Sequence, residues 1–78
     1  MYQTFTLYMI DEKYKKAVRY YSGTNGYKLR KTGIEYMYEK GYDNFVITTE
    51  APEDCADLKD YEIEENKEPI YYKVNVLL

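Results

Sequence analysis

A single cysteine and no histidine leave this chain without the residues for an internal disulfide or a zinc site. The chain has only 78 residues, and a domain of about 60 residues buries only about 60% of the surface that its unfolded chain exposes. We therefore expect a fold of modest stability, because no disulfide or metal is available to hold it together. The sequence predicts a single domain over residues 1–78, with no linker and no internal repeat.

The hydropathy pattern predicts a folded and soluble protein. Hydrophobic residues make up 45% of the sequence, which is more than disordered chains contain. No apolar run approaches the roughly 20 residues that span a bilayer. The first residues, MYQTFTLYMIDEKYKK, lack the basic and then apolar order of a signal peptide. We therefore expect a cytoplasmic protein, located in the host cytosol if the protein is viral.

The first part of the chain predicts a strand followed by a helix. Residues 2–10 alternate apolar and polar side chains, as in a strand with one buried face. Asp11 is suited to cap a helix, and Gly23 is suited to end it. Between them, apolar residues recur at helical spacing; they are Tyr14, Ala17, Val18 and Tyr21. The sequence thus predicts a first helix over residues 12–22, and the alternative is a strand, which the adjacent tyrosines and Val18 would also suit.

A second helix is predicted after a turn at residues 23–26 and a short strand at 27–30. Thr32 and Glu35 have the spacing of a capping box, in which each side chain bonds a backbone amide at the helix start. Gly41 suits a left-handed helix end. The predicted buried stripe of this helix consists of Ile34, Met37 and Tyr38.

The remaining residues predict strands at 44–49 and 61–66, a helical turn that begins at Pro52, and a long apolar strand at 70–78 that forms a terminal hairpin. The resulting order is β-α-β-α-β-β-β. This order predicts a small α+β domain, with a mostly antiparallel sheet of about 4–5 strands and two short helices on one face.

Charge is strongly segregated along the chain. Residues 13–31 contain seven basic residues and no acid, whereas residues 50–68 contain nine acids and two lysines. A surface of one sign attracts partners of the opposite sign, so this segregation favours charge-mediated recognition. The alternative is that the two segments lie side by side in the fold and neutralise each other.

The sequence lacks the groups of common catalytic sites, so we expect no enzymatic activity. Histidine is absent and Ser22 is the one serine, although acid-base and nucleophilic catalysis depend on such residues. The thiolate of Cys55 is disfavoured by the acidic residues on either side of it. The acids lack the spacing of a calcium loop and no glycine-rich phosphate loop is present. We therefore predict no metal and no cofactor.

The acidic stretch is the first candidate binding site. Carboxylates spaced along a loop and a strand can present a phosphate-like array to a basic groove, and tyrosine is a favoured interface residue. The predicted contact residues are Glu53, Asp54, Asp57, Asp60, Tyr61, Glu62, Glu64 and Glu65. In its small size, acidity and tyrosine content, the chain resembles the virus-encoded inhibitors of host nucleases, anti-CRISPR proteins among them. This resemblance implies that the partner is a nuclease or a CRISPR effector.

The basic segment is the alternative site, for single-stranded DNA or RNA. Lysines and arginines interleaved with tyrosines supply phosphate neutralisation and base stacking. The candidate residues are Lys13, Lys16, Arg19, Tyr20, Lys28, Arg30 and Lys31. Residues 23–26, GTNG, resemble the GXXG loop of KH domains, but that loop joins two helices whereas a strand is predicted here. The net charge of −3 favours the acidic site over this one.

Two further interpretations concern self-association and composition. The predicted strand at 70–78 has an unpaired apolar edge, which favours a homodimer formed by strand pairing. The twelve tyrosines are also what A/T-rich codons would produce, so tyrosine content alone does not identify a binding site.

Overall fold

A computed structural model describes residues 3–66 and contains a four-stranded mixed sheet and one α-helix, which confirms the α+β class. The elements are β1 (Phe5–Asp11), β2 (Lys16–Gly23), α1 (Gly26–Lys40), β3 (Asn44–Thr48) and β4 (Glu62–Glu65), with a turn of 3-10 helix at Pro52–Asp54. The sheet order is β3-β1-β2-β4. Strand β1 is antiparallel to β2 and β3, whereas β4 is parallel to β2. Within residues 3–66, α1 is too short and too polar to cross a membrane.

The predicted first helix is wrong, because residues 16–23 form strand β2, which pairs with β1. The buried residues of β2 imitate helical spacing for two reasons. As an inner strand, β2 is covered on both faces, and a register shift against β1 leaves Tyr20 as an extra residue. The residues buried in consequence are Ala17, Val18, Tyr20 and Tyr21. Val and Tyr also favour strands, in agreement with this pairing.

A tight turn over residues 12–15 joins β1 to β2. Asp11 does bond a nearby amide, but its Oδ1 accepts from the Tyr14 amide at 3.3 Å within this turn and caps no helix. Lys15 adopts a φ of 54°, which is uncommon for a residue other than glycine. The side chain of Tyr14, expected in the core, is 63% exposed.

Helix α1 begins six residues before the predicted capping box, so the strand predicted at 27–30 is also wrong. Asn25 is the N-cap, and its Oδ1 accepts from the amides of Tyr27 and Lys28 at 3.1 and 3.3 Å. Thr32 is therefore inside the helix, where its hydroxyl donates to the Lys28 carbonyl oxygen at 3.0 Å. The predicted end at Gly41 is correct, with a left-handed φ of 77°.

The buried face of α1 differs from the predicted stripe. Leu29 and Gly33 are buried, and Tyr36 and Met37 pack against the core. Ile34 and Tyr38 instead point to solvent. Position 33 requires glycine because α1 passes close to the Phe45 ring of β3: a Cβ built at this position would lie 2.7 Å from that ring.

The second half of the chain follows the prediction more closely. Strands β3 and β4 lie within the predicted segments at 44–49 and 61–66, and the 3-10 turn begins at Pro52 as expected. Within residues 3–66 the sheet has four strands and one helix covers it, where two helices were predicted. The predicted strand at 70–78, with its hairpin and its edge for a homodimer, lies outside the described residues.

The sheet has an apolar cluster on each face, because successive residues of β1 point to opposite sides. The α1 face buries Leu7 and Met9 of β1 together with residues of β2 and α1. The other face buries Tyr8 and Ile10, which pack under the segment that links β3 to β4. The chain thus forms three layers, in which α1 and this linking segment lie on opposite sides of the sheet.

Candidate functional site

The acidic layer, defined here as residues 51–61, is held against the sheet by two buried side chains. Leu58 is 1% exposed and Cys55 is also buried, and both belong to the cluster that contains Tyr8, Ile10 and Ala17. Burying a leucine contributes about 1.5–3 kcal/mol to stability. Cys55 is therefore a core residue, and its packing explains why a small apolar side chain interrupts the run of acids.

Backbone hydrogen bonds between residues three positions apart fold the acidic layer into consecutive turns. The Asp54 amide donates to the Ala51 carbonyl at 2.9 Å, and the Leu58 amide donates to the Cys55 carbonyl at 3.0 Å. The Tyr61 amide then donates to the Leu58 carbonyl at 3.1 Å. These turns bring Cys55 and Leu58 to the sheet and leave the residues between them at the surface.

The carboxylates of the acidic layer are displayed to solvent. Glu53, Asp54, Asp57 and Asp60 are all exposed. Within residues 3–66, no basic side chain forms an ion pair with any of these four. With Lys59 as the one cation of the layer, its net charge is −3. The structure therefore brings four of the eight predicted contact residues together as one exposed anionic surface.

The acids of β4 lie at the edge of the sheet beside basic residues, because β4 pairs in register with the basic strand β2. Lys16 Nζ contacts Glu64 at 2.9 Å, and Arg19 Nε lies 3.4 Å from Glu65 without hydrogen-bond geometry. The hydrogen bond that Lys16 donates to Glu64, together with the negative charge of Glu64, raises the pKa of Lys16. Strand alternation places Glu62 and Glu64 on the α1 side of the sheet. The two charged segments are thus partly neutralised at this edge.

Tyr61 joins the acidic layer to the turn between β1 and β2. Its hydroxyl donates to Glu12 Oε2 at 2.5 Å, and Lys15 Nζ contacts the other oxygen of Glu12 at 3.1 Å. The hydrogen bond from Tyr61, with that from Lys15, lowers the pKa of Glu12 below its usual 4.5. The same bond raises the pKa of Tyr61 above its usual 10.0. Tyr61 is therefore positioned by Glu12 at the base of the layer.

We expect Tyr61→Phe to lower the melting temperature in a pH-dependent way. A carboxyl group with a lowered pKa stabilises the fold above its unfolded pKa, and a phenol with a raised pKa does so below its unfolded pKa. The difference in melting temperature from the native chain should be constant between about pH 5.5 and about pH 9. It should shrink as the pH falls through the folded pKa of Glu12, and also as the pH rises through that of Tyr61.

The control for this experiment is Tyr14→Phe, which alters an exposed hydroxyl in the turn beside Glu12. Both variants keep the aromatic ring, so the ring that Lys15 approaches at 5.6 Å in Tyr61 is retained. A difference for Tyr61→Phe that does not change with pH, or one that Tyr14→Phe reproduces, would contradict the role given to the hydrogen bond.

The predicted nucleic-acid residues are spread over three places in the fold. Lys13 lies in the turn between β1 and β2, and Lys16 and Arg19 are ion-paired with β4. Tyr20 is buried, and its hydroxyl lies 2.9 Å from that of Tyr42. The residues of this set on α1 are Lys28, Arg30 and Lys31. Lys13, Lys16 and Tyr20 share no helix face, because residues 16–23 form β2 and Lys13 lies in the turn before it.

The outer side of α1 carries an exposed stripe that the sequence analysis missed. Tyr27, Ile34 and Tyr38 are spaced at i, i+7 and i+11, which places them on one side of a helix. Their exposed fractions are 88%, 40% and 85%. Arg30 and Lys31 are exposed beside them. The spacing was visible in the sequence, but the expected strand at 27–30 concealed it.

Comparison with known proteins identified no similar protein. No family model matches the chain, and no significant match was found among curated proteins or solved structures. Within residues 3–66, no group of three or more Cys, Asp or Glu side chains is arranged to hold a metal ion. Functional inference therefore rests on the two charged faces of the sheet.

Proposed function

We propose that this chain is a protein-binding module, without catalytic activity, that uses the acidic layer to occupy a basic groove of another protein. The observation that supports this proposal is the anchoring of the layer by Leu58 and Cys55, which leaves four neighbouring carboxylates exposed without ion-pair partners in residues 3–66. An exposed surface of one sign speeds association with an oppositely charged partner and fixes its orientation.

The arrangement of the layers favours this function because it keeps the opposite charges apart. Lys28, Arg30 and Lys31 lie on α1, and the sheet separates α1 from the acidic layer. Ion pairing at the β2–β4 edge neutralises part of the basic segment. A basic partner that approaches the acidic layer therefore meets mostly negative charge.

The proposed partner is an enzyme that handles nucleic acid, such as a nuclease or a CRISPR effector. Such enzymes hold a phosphate backbone in a positively charged channel. The spaced carboxylates of the acidic layer can compete with phosphates for that channel. A stoichiometric inhibitor of this kind needs no catalytic residue of its own, in agreement with the composition of the chain.

A displacement assay tests this function. A fluorescent single-stranded oligonucleotide is bound to each nuclease of a small panel that includes a CRISPR effector, and the protein is then added at low salt. We expect the protein to displace the oligonucleotide from at least one enzyme at a near-stoichiometric ratio. Displacement should weaken as salt is raised, because screening weakens attraction between exposed charges. The protein alone should leave the oligonucleotide unbound.

The second candidate function is binding of single-stranded nucleic acid through α1. It is favoured by the exposed tyrosines Tyr27 and Tyr38 beside Arg30 and Lys31, because base stacking on aromatic rings and phosphate neutralisation are how such proteins bind. In the same assay, direct salt-sensitive binding of the oligonucleotide by the protein, lost in Lys31→Glu, would support this function. That result, without displacement from any enzyme, would contradict the function proposed first.

A further inference from the structure

In the described part of the chain, strand β3 is an edge of the sheet without the usual protection against pairing. In the sheet of residues 3–66, β3 pairs with β1 on one side and with no strand on the other. Its sequence, NFVIT, contains no charge and no proline. Natural edge strands are commonly protected by lysine, proline or a bulge, because open backbone groups attract a further strand. Among the described residues, nothing pairs with the outer edge of β3, and the properties of this strand favour an additional strand there.

Apolar side chains of β3 remain partly exposed, and a cavity lies beside the strand on each face of the sheet. Phe45, Val46 and Ile47 are all only half-buried. On the α1 face, a cavity of about 740 Å³ is lined by Phe45 and Ile47 together with Phe5 and Tyr27. On the other face, a cavity of about 380 Å³ reaches Asp57. A strand added at this edge would bury apolar area on both sides of the sheet.

The sequence of β3 is complementary to itself in an antiparallel arrangement centred on Val46. In that register Val46 faces its own copy, Phe45 faces Ile47, and Asn44 faces Thr48. Pairs of aromatic with β-branched residues stabilise neighbouring strands, and no like charges are brought opposite each other within the strands. A two-fold axis that is perpendicular to the sheet and passes midway between the two copies of Val46 generates all five pairs at once.

We propose that β3 is the interface of a symmetric homodimer, in which two copies pair through β3 to form one continuous eight-stranded sheet. A two-fold axis perpendicular to the sheet does not exchange the two faces of the sheet. Both acidic layers therefore lie on one face of the dimer, and both α1 helices lie on the other. The pairing does not depend on the proposed function. Where both hold, the dimer doubles the length of the anionic surface.

The dimer should be weak and should be strengthened by salt. The interface consists of five residues per chain and the adjoining cavities, which is smaller than that of stable complexes. We expect a dissociation constant on the order of 0.1 mM. Asp57 lines the cavity beside β3 on one face of the sheet, and Arg30 lines the cavity on the other face. In the dimer, the two-fold axis brings the two copies of Asp57 toward each other, and likewise the two copies of Arg30. Salt screens this repulsion between like charges.

Sedimentation equilibrium at about 20 µM and about 1 mM tests the dimer. The weight-average mass of the native chain should rise toward two chains at the higher concentration. The double variant Asn44→Asp/Thr48→Asp places like charges opposite each other, and should raise the dissociation constant at least about tenfold. Gln3→Asp/Thr4→Asp, which adds the same charge at exposed positions, should leave it unchanged. Circular dichroism establishes that each variant is folded.

A mixing experiment tests the register and identifies the occupant of the edge. Asn44→Lys/Thr48→Lys should also be monomeric, but an equimolar mixture with Asn44→Asp/Thr48→Asp should form a heterodimer, because each introduced lysine then faces an aspartate. If the native chain is monomeric at about 1 mM, β3 does not pair with a second copy of this chain, and the proposal is overturned. Dimerisation that survives both β3 double variants but is lost in Val74→Lys would place the interface in residues 70–78 and also overturn it.

Discussion

Replacing Leu58 with alanine is expected to lower the free energy of unfolding by about 2–5 kcal/mol, the usual cost of removing a buried leucine side chain. Leu58 is 1% exposed and is the largest fully buried side chain that the acidic layer contributes to the sheet. Its loss leaves a cavity over Ile10 and Ala17 and weakens the attachment of the layer. Urea denaturation followed by circular dichroism measures the change.

The matched control for this variant is Lys59→Ala, at the next position along the chain. Lys59 is exposed, and substitutions at such positions change stability by about 0.5 kcal/mol or less. A cost for Leu58→Ala below about 1 kcal/mol would mean that the leucine is not buried against the sheet. The display of the four carboxylates would then lose its structural basis.

Reversing the charge of the acidic layer should abolish binding to the basic partner. The variant with lysine in place of Glu53, Asp54, Asp57 and Asp60 changes the net charge of the chain from −3 to +5. Attraction then becomes repulsion, and we expect the affinity for the inhibited enzyme to fall by at least about 100-fold at low salt. The fold should survive, because all four side chains are exposed.

A smaller variant separates the effect of position from that of net charge. Asp57→Lys/Asp60→Lys and Glu35→Lys/Glu39→Lys change the net charge equally, but the second pair lies on α1. The first pair should weaken binding at least about tenfold, whereas the second should have a much smaller effect because screening limits the reach of surface charge. Equal losses from both pairs would show that binding responds only to the total charge.

The elements predicted correctly from the sequence are those whose local signals agree with their packing. Strand β3 has strand-forming residues and alternating faces, and Gly41 ends α1 through a conformation that glycine adopts at little cost. The two charged segments were also recognised from the sequence. The carboxylates of the acidic layer, from Glu53 to Asp60, are exposed, and their role in binding stays a prediction.

The errors arose where long-range packing produced a misleading local pattern. Burial on both faces of β2, together with the extra residue Tyr20, gave strand residues a helical spacing. The predicted start of α1 is too late because the sequence predicts a turn at residues 23–26 and a strand after it, whereas the Asn25 side chain caps the helix. These two errors share a cause, since neither strand pairing nor the choice of cap is determined by neighbouring residues alone.

The division of the acidic stretch between two surfaces was equally inaccessible from the sequence. The parallel pairing of β4 with β2 places Glu64 and Glu65 beside Lys16 and Arg19, and Glu64 lies on the opposite side of the sheet from the acidic layer. Charge complementarity between these strands was visible in the sequence. Their adjacency follows only from the order of strands in the sheet.

The central claim is that the acidic layer and the first turns of α1, which carry Lys28, Arg30 and Lys31, display opposite charges on opposite faces of one sheet. Nitroxide cosolutes of positive and of negative charge test it directly, because each enhances the relaxation of amide protons near which it accumulates. The cationic cosolute should have the stronger effect at residues 53–60, and the anionic cosolute at residues 27–31. The same ratio of the two effects in both segments would contradict the account.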